Sequence, residues 1–159
     1  MAVTILIIAA AVGIGIFFGA RQAKQTKALL ADGKIIRRDM HFAEKGEEFT
    51  ARIGTPQDLR TALESRPFPC SVNGSTRSAV TFTGSTFAAR LLQTAFDAAS
   101  GIGVYRFEFT RFKQRNGMYE ESNAMNMLMT SVEKAFLQLD PNTGVKPYAL
   151  DLRTKHTIF

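Results

Sequence analysis

The residue types able to do chemistry are few and far apart. There are two histidines, His41 and His156, and a single cysteine, Cys70. Cys70 lies between Pro69 and Ser71, with no histidine near it in sequence. A thiolate nucleophile needs a base or cation beside it, so a Cys–His centre would require the fold to carry His41 or His156 to Cys70. The commoner role of such a residue is as a small, apolar, inert side chain. No HxxxH, CxxC or HExxH spacing occurs, so no metal site is expected. Glu47-Glu48 and Glu120-Glu121 are adjacent carboxylates of the kind that can share acid–base work. Their surroundings place the first pair at a hairpin edge and the second at a helix N-terminus, where acids complement the dipole. There is no GxxxxGK[ST] phosphate loop, and Gly13-x-Gly15 falls inside an apolar run. No cofactor is expected and no catalytic residue is assigned.

Two further patterns could serve binding. Arg106, Arg111, Lys113 and Arg115 follow an aromatic strand, and basic residues interleaved with aromatics can hold single-stranded nucleic acid. The simpler account puts Tyr105, Phe107 and Phe109 in the core and the charges in water, so nucleic acid is not an expected partner. Met118, Met125, Met127 and Met129 could make an adaptable groove. Their spacing puts Met125 and Met129 on a core-facing stripe and Met127 off it.

The elements that must position these residues form an α+β pattern. Lys34 to Phe42 and Glu47 to Ile53 are expected as strands around Glu44-Lys45-Gly46, with Phe49, Ala51 and Ile53 on one face. Thr55-Pro56-Gln57-Asp58 opens a helix that runs to about Ser65 and stops at Pro67 and Pro69. Asn73-Gly74 is expected to turn a hairpin between Phe68–Val72 and Ser78–Thr83. For residues 86–99 helix is the favoured expectation, because Phe87, Leu91, Ala95 and Ala98 share a helical face. A strand paired with the next one through Gly101-Ile102-Gly103 is the alternative, and a curved sheet would then wrap the C-terminal helix. Val104 to Lys113 alternates as a strand and ends at Asn116-Gly117. From Glu120 to Leu139 an amphipathic helix carries Met125, Leu128, Met129, Val132, Phe136 and Leu139, with Ser122 or Asn123 as cap and Asp140-Pro141 as terminator. The tail offers strand-like pieces at Tyr148–Leu152 and Thr157–Phe159. The sum is a mostly antiparallel sheet with helices packed on one face.

Ahead of this domain stands the strongest contrast in the chain. Residues 2–20 carry no charge, and six Lys/Arg follow within the next eighteen residues. Nineteen apolar residues span about 28 Å as a helix, close to the hydrocarbon thickness of a bilayer. A cleaved signal peptide would want a basic start and a shorter apolar stretch. The expected organisation is a transmembrane anchor at 1–20, a basic juxtamembrane helix at 21–33 stopped by Gly33, and one domain at 34–159. The small residues Ala11, Gly15 and Gly19 share a helix face suited to helix–helix packing. Arg21, Lys24, Lys27, Lys34, Arg37 and Arg38 are the expected membrane-surface residues, since basic segments beside a bilayer meet anionic headgroups. The same charges place the domain on the cytoplasmic side by the positive-inside rule. Of the net charge of +6, residues 21–40 supply +4.

The expected protein is a single-pass, membrane-anchored, non-enzymatic binding or scaffold subunit of a membrane assembly. Its expected partners are membrane lipid and either a protein partner or a second copy through the anchor. The alternatives are an extracytoplasmic accessory domain of a secretion or envelope complex, and a membrane-tethered enzyme with a Cys or carboxylate centre.

Overall fold

A computed structural model describes residues 24–53, 56–65, 70–76 and 79–150. The chain divides into two compact units, Met1–Ile35 and Ile36–Phe159. In the first, residues 24–31 form a helix, α1. Gly33 ends it at φ +66°, a left-handed conformation that favours glycine. Lys34 N donates to Leu29 O at 2.9 Å and Gly33 N to Leu30 O at 3.2 Å, so the last carbonyls of the helix are satisfied. The expected anchor at 1–20, with Ala11, Gly15 and Gly19, lies outside the described residues. Among the described residues no helix is long and apolar enough to cross a membrane.

The second unit is α+β. In chain order it holds a 3-10 turn at Phe42–Glu44, β1 Lys45–Ala51, α2 Pro56–Glu64, β2 Ser71–Thr76, β3 Ala79–Thr83, β4 Phe87–Asp97, β5 Ile102–Phe112, β6 Gln114–Arg115, β7 Met118–Tyr119, α3 Ser122–Leu139 and β8 Gly144–Ala149. Six strands pair antiparallel in the order β2-β3-β4-β5-β1-β8, and β6 and β7 form a separate small hairpin. The registers Phe49↔Tyr105, Glu47↔Phe107 and Leu91↔Phe107 put the large apolar side chains of β1, β4 and β5 on one face. Leu59 and Leu63 of α2 and Leu128, Val132 and Phe136 of α3 are fully buried in the same core. Phe136 stacks on Phe49 with ring centroids 4.2 Å apart and meets Tyr105 edge-on at 5.2 Å. The Tyr105 hydroxyl stays satisfied by donating to Ile53 O at 2.9 Å.

Several expectations are corrected. Residues 87–97 are strand β4, not helix. Phe87 and Leu91 satisfy a period of two as well as a period near four, and the intervening Ala89 is buried while Ala95 is exposed. The strand β5, which needs a partner, decides the outcome through the Gly101 turn at φ +70°. Lys34 to Phe42 forms no strand. Both neighbours of β1 are already taken by β5 and β8, and residues 36–39 run as an irregular strap instead. Asn73 and Gly74 do not turn the β2–β3 hairpin but pair with Thr81 and Val80. The register that sets Val72 opposite the buried Phe82 outweighs the local turn preference. Glu121, rather than Ser122 or Asn123, occupies the N-cap of α3. Leu139 is 37% exposed, so the buried stripe ends at Phe136. The tail supplies edge strand β8, and the piece at 157–159 lies outside the described residues.

Because Phe136 is fully buried between two aromatic rings, Phe136→Ala is expected to destabilise the domain by about 3–5 kcal/mol. Chemical denaturation monitored by circular dichroism measures this. An unchanged midpoint would place that ring outside the core.

Candidate functional site

The α3 stripe carries one acid among its apolar residues: Glu133 follows Met129 by four positions and precedes Phe136 by three. The β1 alternation likewise carries Glu47 onto the face of Phe49 and Ala51. Two carboxylates therefore enter the core from opposite layers, Glu47 2% and Glu133 1% exposed. An isolated buried charge is unfavourable by several kcal/mol or more, so each needs a counter-charge or a proton. Arg38 on the strap provides the counter-charge. Its Nη2 donates to Glu133 Oε2 at 2.5 Å and to Glu47 Oε1 at 3.3 Å, and its Nη1 donates to Thr130 Oγ1 at 2.8 Å. Glu133 Oε1 accepts the backbone N–H of Ile36 at 2.8 Å. Thr130 and Glu133 are one turn apart on α3, so a single helix face grips the strap.

One guanidinium cannot neutralise two carboxylates. Glu133 has the shorter ion pair and a second donor, and it carries the negative charge. Burial, reinforced by the charge of Glu133, pushes the Glu47 carboxyl up to about 8 against the pull of Arg38. Burial also raises Glu133, opposed by Arg38 and the Ile36 N–H. Glu47 is thus the proton-holding member near neutrality. A cavity of about 230 Å³ lies alongside, lined among others by Ile36, Arg38, Phe42, Glu47, Met129 and Pro147. Glu47 Oε2 and Arg38 Nε are sealed from solvent and lack hydrogen-bond partners. The group can hold and release a proton, but that carboxyl oxygen is closed to a solute in the cavity.

The opposite sheet face carries a second polar network. Glu48 accepts from Arg106 Nε at 2.8 Å and pairs with Lys146 Nζ at 2.9 Å. Lys146 first and Arg106 second hold its carboxyl below the ordinary range. Glu108 accepts from Arg90 Nε at 2.5 Å and from the Tyr148 hydroxyl at 2.9 Å. The Arg106 guanidinium lies 5.0 Å from the centroid of the Tyr148 ring. That ring covers Gly46, where an added Cβ would stand 2.2 Å from it. The pair Glu47-Glu48 is therefore not at a hairpin edge. It is built into β1, one carboxyl on each face of the sheet.

The remaining candidates separate. Lys24, Lys27 and Arg37 are exposed and Lys34 is half-buried, whereas the Arg38 side chain is only 11% exposed and engaged by carboxylates. Arg21 lies outside the described residues. Cys70 is half-buried against the core, and burial pushes its thiol up to about 11, far from a reactive thiolate at neutral pH. His41 is on the surface beside Glu44, and His156 lies outside the described residues. Among the described residues no group of three or more His, Cys, Asp or Glu is placed to hold a metal ion. Glu121 binds Ser85 and Thr86, which hold its carboxyl low. Met125 and Met129 are in the core, while Met127 is 56% and Met118 64% exposed. The buried triad was missed at the sequence level, although two acids on apolar faces signal an unassigned cation. No protein-family model, curated protein or solved structure matches this chain.

A carboxyl raised in the folded state binds more protons there than in the unfolded chain. Its contribution is fully present below the ordinary value of 4.5 and is lost as pH rises through about 8. Asp39, held low by Lys45, and Glu48 act in the opposite sense, losing their contribution as pH falls below the ordinary carboxylate range. Stability measured by thermal denaturation is therefore expected to peak in mild acid and decline toward pH 8. Glu47→Gln is expected to flatten that decline. Arg38→Ala, which strands Glu133, is expected to destabilise by about 3–5 kcal/mol.

Proposed function

We propose that this protein is a membrane-tethered binding or scaffold subunit whose α+β domain recruits a partner at the cytoplasmic surface. The observation that carries this reading is the uncharged run 2–20 followed directly by a basic segment. The exposure of Lys24, Lys27 and Arg37 supports it, because exposed cations attract anionic headgroups. Tethering raises the local concentration of the domain near membrane partners without any added contact. Small-residue packing through Ala11, Gly15 and Gly19 is the proposed route to self-association or to a second membrane helix. Against an enzyme stand the thiol of Cys70, held protonated by burial, and the Glu47 oxygen that solvent does not reach.

The full chain is expected to remain in the membrane fraction after alkaline carbonate extraction. A cysteine introduced near the C-terminus, in a Cys70→Ala background, is expected to resist an impermeant thiol reagent in intact cells and to react after lysis. Labelling before lysis would reverse the orientation and favour an extracytoplasmic accessory domain. Release by carbonate would overturn the anchor.

A further inference from the structure

The sheet has two ends, and one of them is chemically distinctive. β5 runs toward Phe112 at this end, and the antiparallel β1 and β4 start there, since Phe87 pairs with Phe112 and Glu47 with Phe107. The β6–β7 hairpin projects beyond it. Its turn, Asn116 at φ +53° and Gly117 at φ +76°, has the paired positive φ of a tight, strand-matched hairpin. Tyr119 of β7 packs against Phe42 at 5.2 Å and Phe112 at 5.1 Å, which fixes the hairpin beside the 3-10 turn.

On this end Arg111, Lys113 and Arg115 are all exposed, and none forms an ion pair among the described residues. Of the other charges nearby, Lys45 pairs with Asp39, Glu44 faces His41, Glu121 is engaged by Ser85 and Thr86, and Glu120 is an exposed acid. Met118 is 64% and Met40 72% exposed. Met118 directly follows the turn, and Met40 directly precedes the segment that touches Tyr119. Arg106, grouped with these cations at the sequence level, is committed to Glu48 on the sheet face and takes no part.

We propose that this end of the domain docks onto an anionic lipid surface, with Arg111, Lys113 and Arg115 on the headgroups and Met118 and Met40 in the interface. Cations flanking exposed apolar side chains match the two-part chemistry of that surface, charge outside and hydrocarbon within. Among the described residues this end offers nucleic acid its cations but no exposed aromatic ring to stack upon. The proposal rests on the membrane-tether reading, which keeps the domain within reach of such a surface. Nineteen residues separate the uncharged run from Met40.

The test uses the full chain, Cys70→Ala, reconstituted into vesicles of phosphatidylcholine with or without phosphatidylglycerol. An environment-sensitive fluorophore is attached at Met118→Cys, and separately at Phe96→Cys on the opposite end of the sheet. The probe at 118 is expected to shift to the blue and to be quenched by lipid-borne nitroxides only in the anionic vesicles. The effect is expected to weaken with salt and to vanish when Arg111, Lys113 and Arg115 are replaced by Gln. The probe at 96 is expected to stay in water throughout. Chain that floats with anionic vesicles while the 118 probe remains in water overturns the docking but leaves the tether. Chain that does not float with them overturns both. A 118 probe silent toward lipid but shifted by a single-stranded RNA, through the same three cations, would assign the surface to nucleic acid and overturn the proposal.

Discussion

A single guanidinium, Arg38, faces two carboxylates that the fold has removed from water. In a low-dielectric interior this arrangement is tolerable only if the cation stays in place, because either acid left alone would be strongly unfavourable. Three layers are committed to it at once: the strap at 36–39, strand β1 through Glu47 and helix α3 through Glu133 and Thr130. The trio also governs how the chain enters the domain. The Ile36 amide, which no neighbouring strand receives, is satisfied by a side chain of α3. The irregular backbone of the strap is thereby held without joining the sheet.

The two faces of β1 show how one short strand serves two kinds of chemistry. Phe49 and Ala51 pack under α3 while Glu48 joins Arg106 and Lys146 on the other side. The packed face defines the fold. On the charged face each acid is engaged, Glu48 by Arg106 and Lys146 and Glu108 by Arg90 and the Tyr148 hydroxyl. The cations of that face are committed to ion pairs, whereas Arg111, Lys113 and Arg115 at the hairpin end form none among the described residues.

The amphipathic helix α3, the helix opened by Pro56 and the alternating strand at Tyr105, Phe107 and Phe109 were legible because their periods are long and unambiguous. The Gly33 stop and the break at Asn116-Gly117 were legible because positive φ restricts the residue choice, although the β6–β7 hairpin around that break was not anticipated. What failed to show locally was decided by partners distant in sequence. Ala-rich β4 is a strand because β5 lies beside it, and Asn73-Gly74 is drawn into a ladder by the register of Val72 with Phe82. The Arg38 site was half legible. Glu47 and Glu133 fall on faces that periodicity marks as buried, but only the fold reveals that Arg38, from the basic stretch ahead of the domain, pairs with both. The same basic residue type thus has two fates within two positions, exposed at Arg37 and enclosed at Arg38.

Strand β8 closes the sheet by pairing Ala149 with Lys45 and Gly144 with Thr50. These partners lie at nearly opposite ends of the domain in sequence. A nascent chain leaving the ribosome can form the β4–β5 hairpin early, from adjacent segments, but β1 keeps one unpaired edge until residues 144–149 emerge. Such an edge is a template for any other extended segment in the cell. Pro147 withholds one donor from β8 itself, yet nothing comparable guards β1 in the interval. Among the described residues β8 is the last strand to be synthesised, so its arrival ends the interval in which that edge of β1 is open to misassembly.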